Sequence, residues 1–578
     1  MEPGFVWGNN YWTSSKELCQ VLREPLIISL SPRYERNHHQ NLSTARPPFL
    51  VNYQVVHIKH DSKYQIEQKI YDKSIVHIGL CFPTVCDPKE TSMLVDQVLQ
   101  RNKEEYFLIG ANYTILDAKH TTASERALGN VFLMLTLIGL SIILLLVIFG
   151  TIYGKCLRKP FWNNVVLTPD KKVSDGNEMG VKALQNTTKQ SLISEIFTSF
   201  SISDNYQKLT SIHMTKKSLS AIHGLSGFLL AYTFFDHLKE TEGKAAKNPI
   251  RLLWKAILLR YLRLAIPYIP AFLFTTSLAF YLRDASTYHF IEQTDYNCEH
   301  YWWRNFLFIN NWWKMSDMCM TNSWYLSADF QCFLITIILL VLSLRFPKTS
   351  IFGFVLVFLG SCIYSGYVGW TENFSYLLDV QFNSIDTLYY PTYTRIGGYL
   401  VGVFSGWLFV KLDEDLKLNK VFVVIGWIIA LTINLSLFLA QVFRVENQYL
   451  GMFFAGICRP MYCGTIMWIV FMCSRGYGGI VTKILGSPSL VVISRLSFAA
   501  YLVNPILIYF VSMISDVPFH IELVSTTITV VGYVYLIYRL ATVFSLLFEF
   551  PFTQIIKKVC DRMENRSENN NNKDSTHL

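Results

Sequence analysis

The chain has 578 residues, 51% hydrophobic and 15% aromatic, with only 16% charged and a formal net charge of +9. Soluble domains carry about a quarter charged residues, so this composition excludes an ordinary soluble enzyme and points to lipid. The basic excess does not mark a nucleic-acid partner, because Lys and Arg sit in short loops between apolar runs, where they set topology. The twelve cysteines show no spacing suited to zinc, and no metal site is expected. Cys332, Cys362, Cys458 and Cys463 fall inside apolar runs as ordinary packing residues.

Residues 1–128 are mixed polar sequence with glycosylation acceptors at Asn41 (Asn-Leu-Ser) and Asn112 (Asn-Tyr-Thr), and with Cys19, Cys81 and Cys86. This reads as an extracellular or lumenal domain of the disulfide-bearing type. A translocated domain calls for a signal peptide, yet the opening MEPGFVWGNNYW holds no apolar stretch of the required length. The N-terminal part of the domain is therefore expected to be missing. Three cysteines also leave one without a partner.

The run from Val131 to Tyr153 has 23 residues without a charge. About 20 suffice to span a bilayer as a helix, so 129–153 is the first transmembrane helix. Lys155, Arg158 and Lys159 follow it at once, which places that side in the cytoplasm and the preceding domain outside. Residues 154–221 form a polar cytoplasmic loop ending in a surface helix, SLISEIFTSF. Helices are expected near 264–282, 328–345, 350–369, 395–410, 420–441, 449–472, 493–513 and 521–547, with a cytoplasmic tail over 551–578. The fold class is an all-α polytopic membrane protein of about nine to ten transmembrane helices.

Loop charges check this topology. With 239–263 inside, 284–322 lies outside, where Cys298 and Cys319 are expected to pair and Asn373 (Asn-Phe-Ser) also stands outside. Asn186 and Asn565 fall on the cytoplasmic side. One place fails. Loops 154–221 and 239–263 both belong in the cytoplasm, yet only the thirteen-residue apolar piece from Ser226 to Leu238 lies between them. Either this piece dips in and returns, or a helix has been lost beside it.

Several motifs in order carry a resemblance. The N-terminal PGFVWGNNYWTSSKELC and VHIGLCFPTVCDPKE are followed by SAIHGL, SGFLLAYTFF, RYLRLAIPY, CEHYWWRNFLFINN, CMTNSWYLSADFQCF, YTRIGGYLVGVFSGWL and ISRLSFAAYLVNPILI. Together they resemble the nose-resistant-to-fluoxetine branch of the membrane acyltransferase type 3 family. The resemblance implies transfer of an acyl group, not an aminoacyl group, to a hydroxyl of a lipid, sterol or sugar. Acyl-coenzyme A would serve as donor substrate from the cytoplasm, with no resident cofactor and with membrane lipid as the surrounding partner. The alternative is non-enzymatic uptake of lipids and hydrophobic compounds. The membrane is the plasma membrane or an internal one.

The family motif is an arginine, ten residues and a histidine, the arginine directly following His-Gly-Leu, with the histidine as general base. Here His223-Gly224-Leu225 runs straight into Ser226-Gly227-Phe228, which in the family opens the next helix. The resemblance thus implies that the base-bearing helix of the 222–550 acyltransferase-like domain is absent at the 225/226 junction. His237 reproduces the histidine spacing from Ser226 by coincidence, so its catalytic reading stands against that of a solvated end-of-helix residue. His223 is weighed the same way. Asp329 is a third catalytic candidate, because a carboxylate near the start of a membrane helix is costly and expects a partner. Its bland counterpart is an aspartate at the water interface. Arg260 and Arg263 are donor-binding candidates, since guanidinium offers bidentate donors to phosphate, against plain snorkelling to the cytoplasmic interface. Arg395, Arg459 and Asn504 are intramembrane polar candidates. Trp302, Trp303, Trp312 and Trp313 read as an aromatic belt before a ligand cage.

Overall fold

The computed structural model describes residues 5, 9–13, 16, 19, 22, 49–65, 74–101, 111–121, 130–157, 192–211, 223–240, 248–289, 293–375, 384–412, 418–442, 447–514, 522–560 and 562. Asn41, Asn186 and Asn565 lie outside them.

The N-terminal domain is built on a four-stranded sheet of β1 (Tyr11–Thr13), β2 (Val51–His60), β3 (Ile75–Pro83) and β4 (Tyr113–His120), in the order β1-β3-β2-β4. β2 is antiparallel to both its neighbours and β1 runs parallel to β3. The β-branched, alternating VNYQVVHIKH suits a central strand, whose successive side chains leave by opposite faces. Val56 and Ile58 pack with Val76 and with Val95 and Leu99 of α1 (Pro88–Arg101). Val51, Tyr53 and Val55 take the other face beside Cys19, which is disulfide-bonded to Cys81. Cys86 remains a thiol.

The rest is helical. Eight helices are long and apolar enough to cross a membrane among the described residues. They are α2 (Val131–Ile152), α6 (Pro249–Ala285), α8 (Trp324–Ser343), α9 (Pro347–Thr371), α11 (Lys420–Val442), α12 (Gln448–Ser474), α14 (Pro488–Ile514) and α15 (Leu523–Cys560). Two shorter helices, α5 (His223–Glu240) and α10 (Ile396–Lys411), complete the bundle, which makes the chain a multi-pass membrane protein. The remaining helices α3 (Leu192–Ser199), α4 (Ile202–Thr210), α7 (Thr294–Phe306) and α13 (Gly479–Leu485) lie between these. The boundaries differ most at α6, which begins 15 residues before the apolar run because the amphipathic Arg251-to-Arg263 stretch continues the same helix. At 37 residues it spans ~55 Å, well beyond the hydrocarbon core of about 30 Å.

Two ends of the bundle are fixed by contacts. At one end Lys119 of β4 donates to the carbonyls of Arg283 (3.1 Å) and Tyr288 (2.7 Å), so the sheet domain docks where α6 stops. Cys298 and Cys319 are disulfide-bonded in the segment that follows. At the other end α3 and α4 meet the tail of α15: Lys208 donates to Gln554 (2.6 Å) and Lys558 to the Glu195 carbonyl (2.8 Å). Arg495 closes the C-terminus of α4 by donating to the carbonyls of Lys208, Leu209 and Ser211.

α5 is an unbroken helix of 18 residues, not a piece that dips in and returns. It lies against α10 at glycine spacing. A Cβ on Gly227 would sit 2.2 Å from the Tyr399 carbonyl oxygen, and one on Gly406 would sit 2.5 Å from the Phe228 carbonyl oxygen and 3.0 Å from Ala231. Small residues let two membrane helices approach this closely. The order of these contacts makes the helices parallel, so α5, like α10, starts at the sheet-domain end.

Candidate functional site: a buried acid–arginine pair with orphaned donors

Asp329 sits in the second turn of α8 and is buried. Arg260 of α6 donates from Nη2 to Asp329 Oδ2 at 2.5 Å, and its guanidinium lies 4.8 Å from the Phe333 ring centroid. The α6–α8 contact brings the two together, and Leu326, Phe330 and Phe333 of α8 are buried in the core around them. The Asp329 side chain is 6% exposed and that of Arg260 25%. Charges inside a bilayer persist when they pair in this way, and such pairs mark functional sites by default.

Tyr325, Cys332 and Tyr399 lie within electrostatic range of the pair. The Tyr399 hydroxyl and Arg260 Nε are both buried and find no hydrogen-bond partner among the described residues. Leaving a buried donor unmet costs about 1–3 kcal/mol, more for a charged group. Two buried donors without a partner among the described residues thus stand beside one ion pair. Chemically, the arrangement offers a fixed cation, a carboxylate and a phenol converging in a water-poor setting, suited to orienting a polar headgroup or stabilising a developing oxyanion.

The other candidates separate from this site. Arg263 is exposed one turn further along α6, within electrostatic range of Arg260 and Glu549. Arg395 donates to the Tyr389 carbonyl from Nε (3.1 Å) and Nη2 (2.8 Å) and rests 4.8 Å from the Trp324 ring centroid. Arg459 reaches the Thr394 carbonyl at 3.4 Å, so both arginines brace the turn that enters α10. Asn504 is half-buried beside Pro505 within α14. His237 is exposed near the end of α5, and His223 is the first residue of that helix. Trp302 and Trp312 are exposed at the sheet-domain end, and Arg304 lies between Tyr301 (3.8 Å) and Trp313 (4.0 Å). Among the described residues no group of three or more His, Cys, Asp or Glu could hold a metal ion.

Sequence reasoning does not single out Tyr399 as a member of this site. Its signal was present in Ile396-Gly397-Gly398-Tyr399, where the two glycines admit the side chains of Pro460, Ser361 and Cys463 next to a buried tyrosine. Nothing in the sequence tells which way that phenol turns.

The fold and this site define a polytopic acyltransferase-like membrane protein. Residues 223–547 match the acyltransferase domain family, and the chain belongs to it. Residues 1–95 match the nose resistant-to-fluoxetine protein N-terminal domain. The chain is similar to "Nose resistant to fluoxetine protein 6" of Caenorhabditis elegans, at 27% identity over 368 residues, covering 57% of this chain and 43% of that protein. The chain thus spans less than half the length of the curated relative it matches. No solved structure matches it.

Proposed function

We propose that the membrane domain is an acyl-transfer scaffold for a hydroxyl of a lipid, sterol or sugar, with acyl-coenzyme A as donor, and that this chain lacks the helix bearing the general base. The observation that carries the second half is the path between α4 and α5. Ser211 is held by Arg495 at the tail end, whereas Gly227 meets Tyr399 near the start of α10 at the sheet-domain end. Only residues 212–226 lie between, and a helix needs about 20 to span the bilayer. One crossing is unaccounted for at the place where the Arg-x10-His helix would stand. The orphaned Tyr399 hydroxyl beside α5 supports the same reading. Arg260 would fix the donor or acceptor headgroup, with Asp329 setting its orientation.

Topology follows from the same frame: the sheet domain stands outside and the tail inside, with Asn41, Asn112 and Asn373 glycosylated and Asn186 and Asn565 bare. Asn112 and Asn373 are both exposed, in keeping with this. Sugar on Asn186 in tryptic mass mapping overturns it.

The functional test is acyl transfer from a labelled donor in membranes carrying this chain or the chain with an Arg-x10-His helix restored at the Leu225/Ser226 junction. The restored form is expected to exceed this chain by at least about 10²–10⁴-fold, the usual contribution of a positioned base. Replacing His237 by alanine changes neither form. Equal activity of the two forms, or loss of activity in the His237 variant, refutes the missing-helix reading. Uptake of a hydrophobic dye without acyl transfer in the restored form favours the transport alternative.

A further inference from the structure

Where the sheet domain meets the turn after α6, three histidines from distant parts of the chain pack together. His57 (β2) and His77 (β3) have ring centroids 4.8 Å apart, and His289 lies 5.3 Å from His57. His57 Nδ1 faces Asp117 Oδ1 of β4 at 2.5 Å, and its Nε2 faces the Thr287 carbonyl at 3.1 Å. A carboxylate and a carbonyl only accept, so both ring nitrogens of His57 face acceptor oxygens. His77 is in the opposite condition. Its Nε2 accepts from the backbone N–H of His289 at 3.1 Å, and its Nδ1 is buried without a partner. A proton on Nε2 would abolish that bond and set N–H against N–H.

The surroundings of His77 on balance disfavour its charge, against the backbone of Asn10, which favours it. Tyr11 of β1 stacks on the ring at 4.4 Å and Tyr288 stands edge-on at 6.1 Å. Lys119 of β4 spans the seam on the carbonyls of Arg283 and Tyr288, and Arg283 itself pairs with Asp295. Among the described residues of the group Asp117 is the one carboxylate, and it is held by His57. Burial pushes Asp117 up, but the hydrogen bond and charge of His57 outweigh this and leave it below the usual carboxylate range. Burial first, then the neighbouring His57 and His289, push His77 down to about 3.

We propose that this seam is an acid-sensitive latch between the sheet domain and the membrane bundle, closed while His77 is neutral and loosened as His77 takes a proton. The direction follows by linkage. A histidine whose docked pKa lies below its free value of about 6.5 gives the docked state its full stability above that pH. As pH falls below about 6.5 the released form gains a proton that the docked form refuses, so docking weakens by up to about tenfold per pH unit. Lys119 on the Arg283 and Tyr288 carbonyls keeps a baseline of attachment, so the response is graded.

The His289 amide reports the latch directly, because it donates to the ring that titrates. Hydrogen exchange of the full chain in nanodiscs, corrected for the intrinsic pH dependence of exchange, is measured from pH 7.5 to 5.0. Protection of the peptide over 284–293 is expected to hold above about pH 6.5 and to fall by up to about tenfold per unit below it. In His77→Gln the side-chain oxygen still accepts from the His289 amide but takes no proton, so protection becomes independent of pH. The β2 amides of 54–58, paired on both edges, serve as the folding control and stay protected throughout. If His77→Gln loses that control, His77→Phe replaces it with the same expectation. A flat wild-type profile overturns the latch, as does a variant with β2 intact that follows the wild-type slope.

Discussion

In the bundle, buried Asp329 is paired at 2.5 Å with half-buried Arg260, while in the sheet domain His77 is buried as the neutral ring. The two regions meet the same cost, a charge taken out of water, by different chemistry. An arginine has no practical neutral form, so the membrane site depends on a partner from another helix. An imidazole can be neutral near physiological pH, so the seam depends on the solution around it. The first arrangement is permanent and suits a binding site. The second responds to acid.

This contrast is open to direct attack. The largest expected effect is Asp329→Ala, which takes the carboxylate from half-buried Arg260 and should destabilise the bundle by up to about 3–5 kcal/mol. Thermal unfolding in detergent should show a marked drop that Arg260→Met with Asp329→Leu largely restores. If the single variant is neutral, the pair does not hold α6 to α8. Next comes Gly406→Leu, whose side chain enters the backbone of α5 and should cost about 1–3 kcal/mol by overpacking. Crosslinking of cysteines placed on facing turns of α5 and α10 would show the helices parting. Lys119→Met removes two hydrogen bonds across the seam, one of them exposed, and should cost about 1 kcal/mol of docking. Exchange protection of 284–293 should then fall at every pH while the slope below pH 6.5 stays the same, which separates the anchor from the latch. The smallest effect is expected for exposed Arg263→Ala, within about 0.5 kcal/mol in the same unfolding measurement. A larger loss would make Arg263 part of the buried site.

The helices were legible because lipid demands long uncharged runs, and the runs at 131–153 and 350–369 match α2 and α9 closely. The start of α6 was not, since its first turns are basic and amphipathic and carry no apolar run. Within the site, Asp329 and Arg260 were each visible as a cost, but 69 positions separate them and no periodicity joins them. The histidine seam was invisible for the same reason: His77 and His289 are 212 positions apart.

The sequence by itself determined the class of protein, because hydropathy, loop charge and ordered motifs are local properties that the bilayer reads segment by segment. It also raised the parity failure between two basic loops. Only the tertiary structure decided that α5 runs parallel to α10, that Asp329 faces Arg260 and not water, and that His57, His77 and His289 share one seam. Those outcomes depend on which surfaces meet when helices and strands pack, and packing joins residues by shape and charge at separations that a linear pattern does not record.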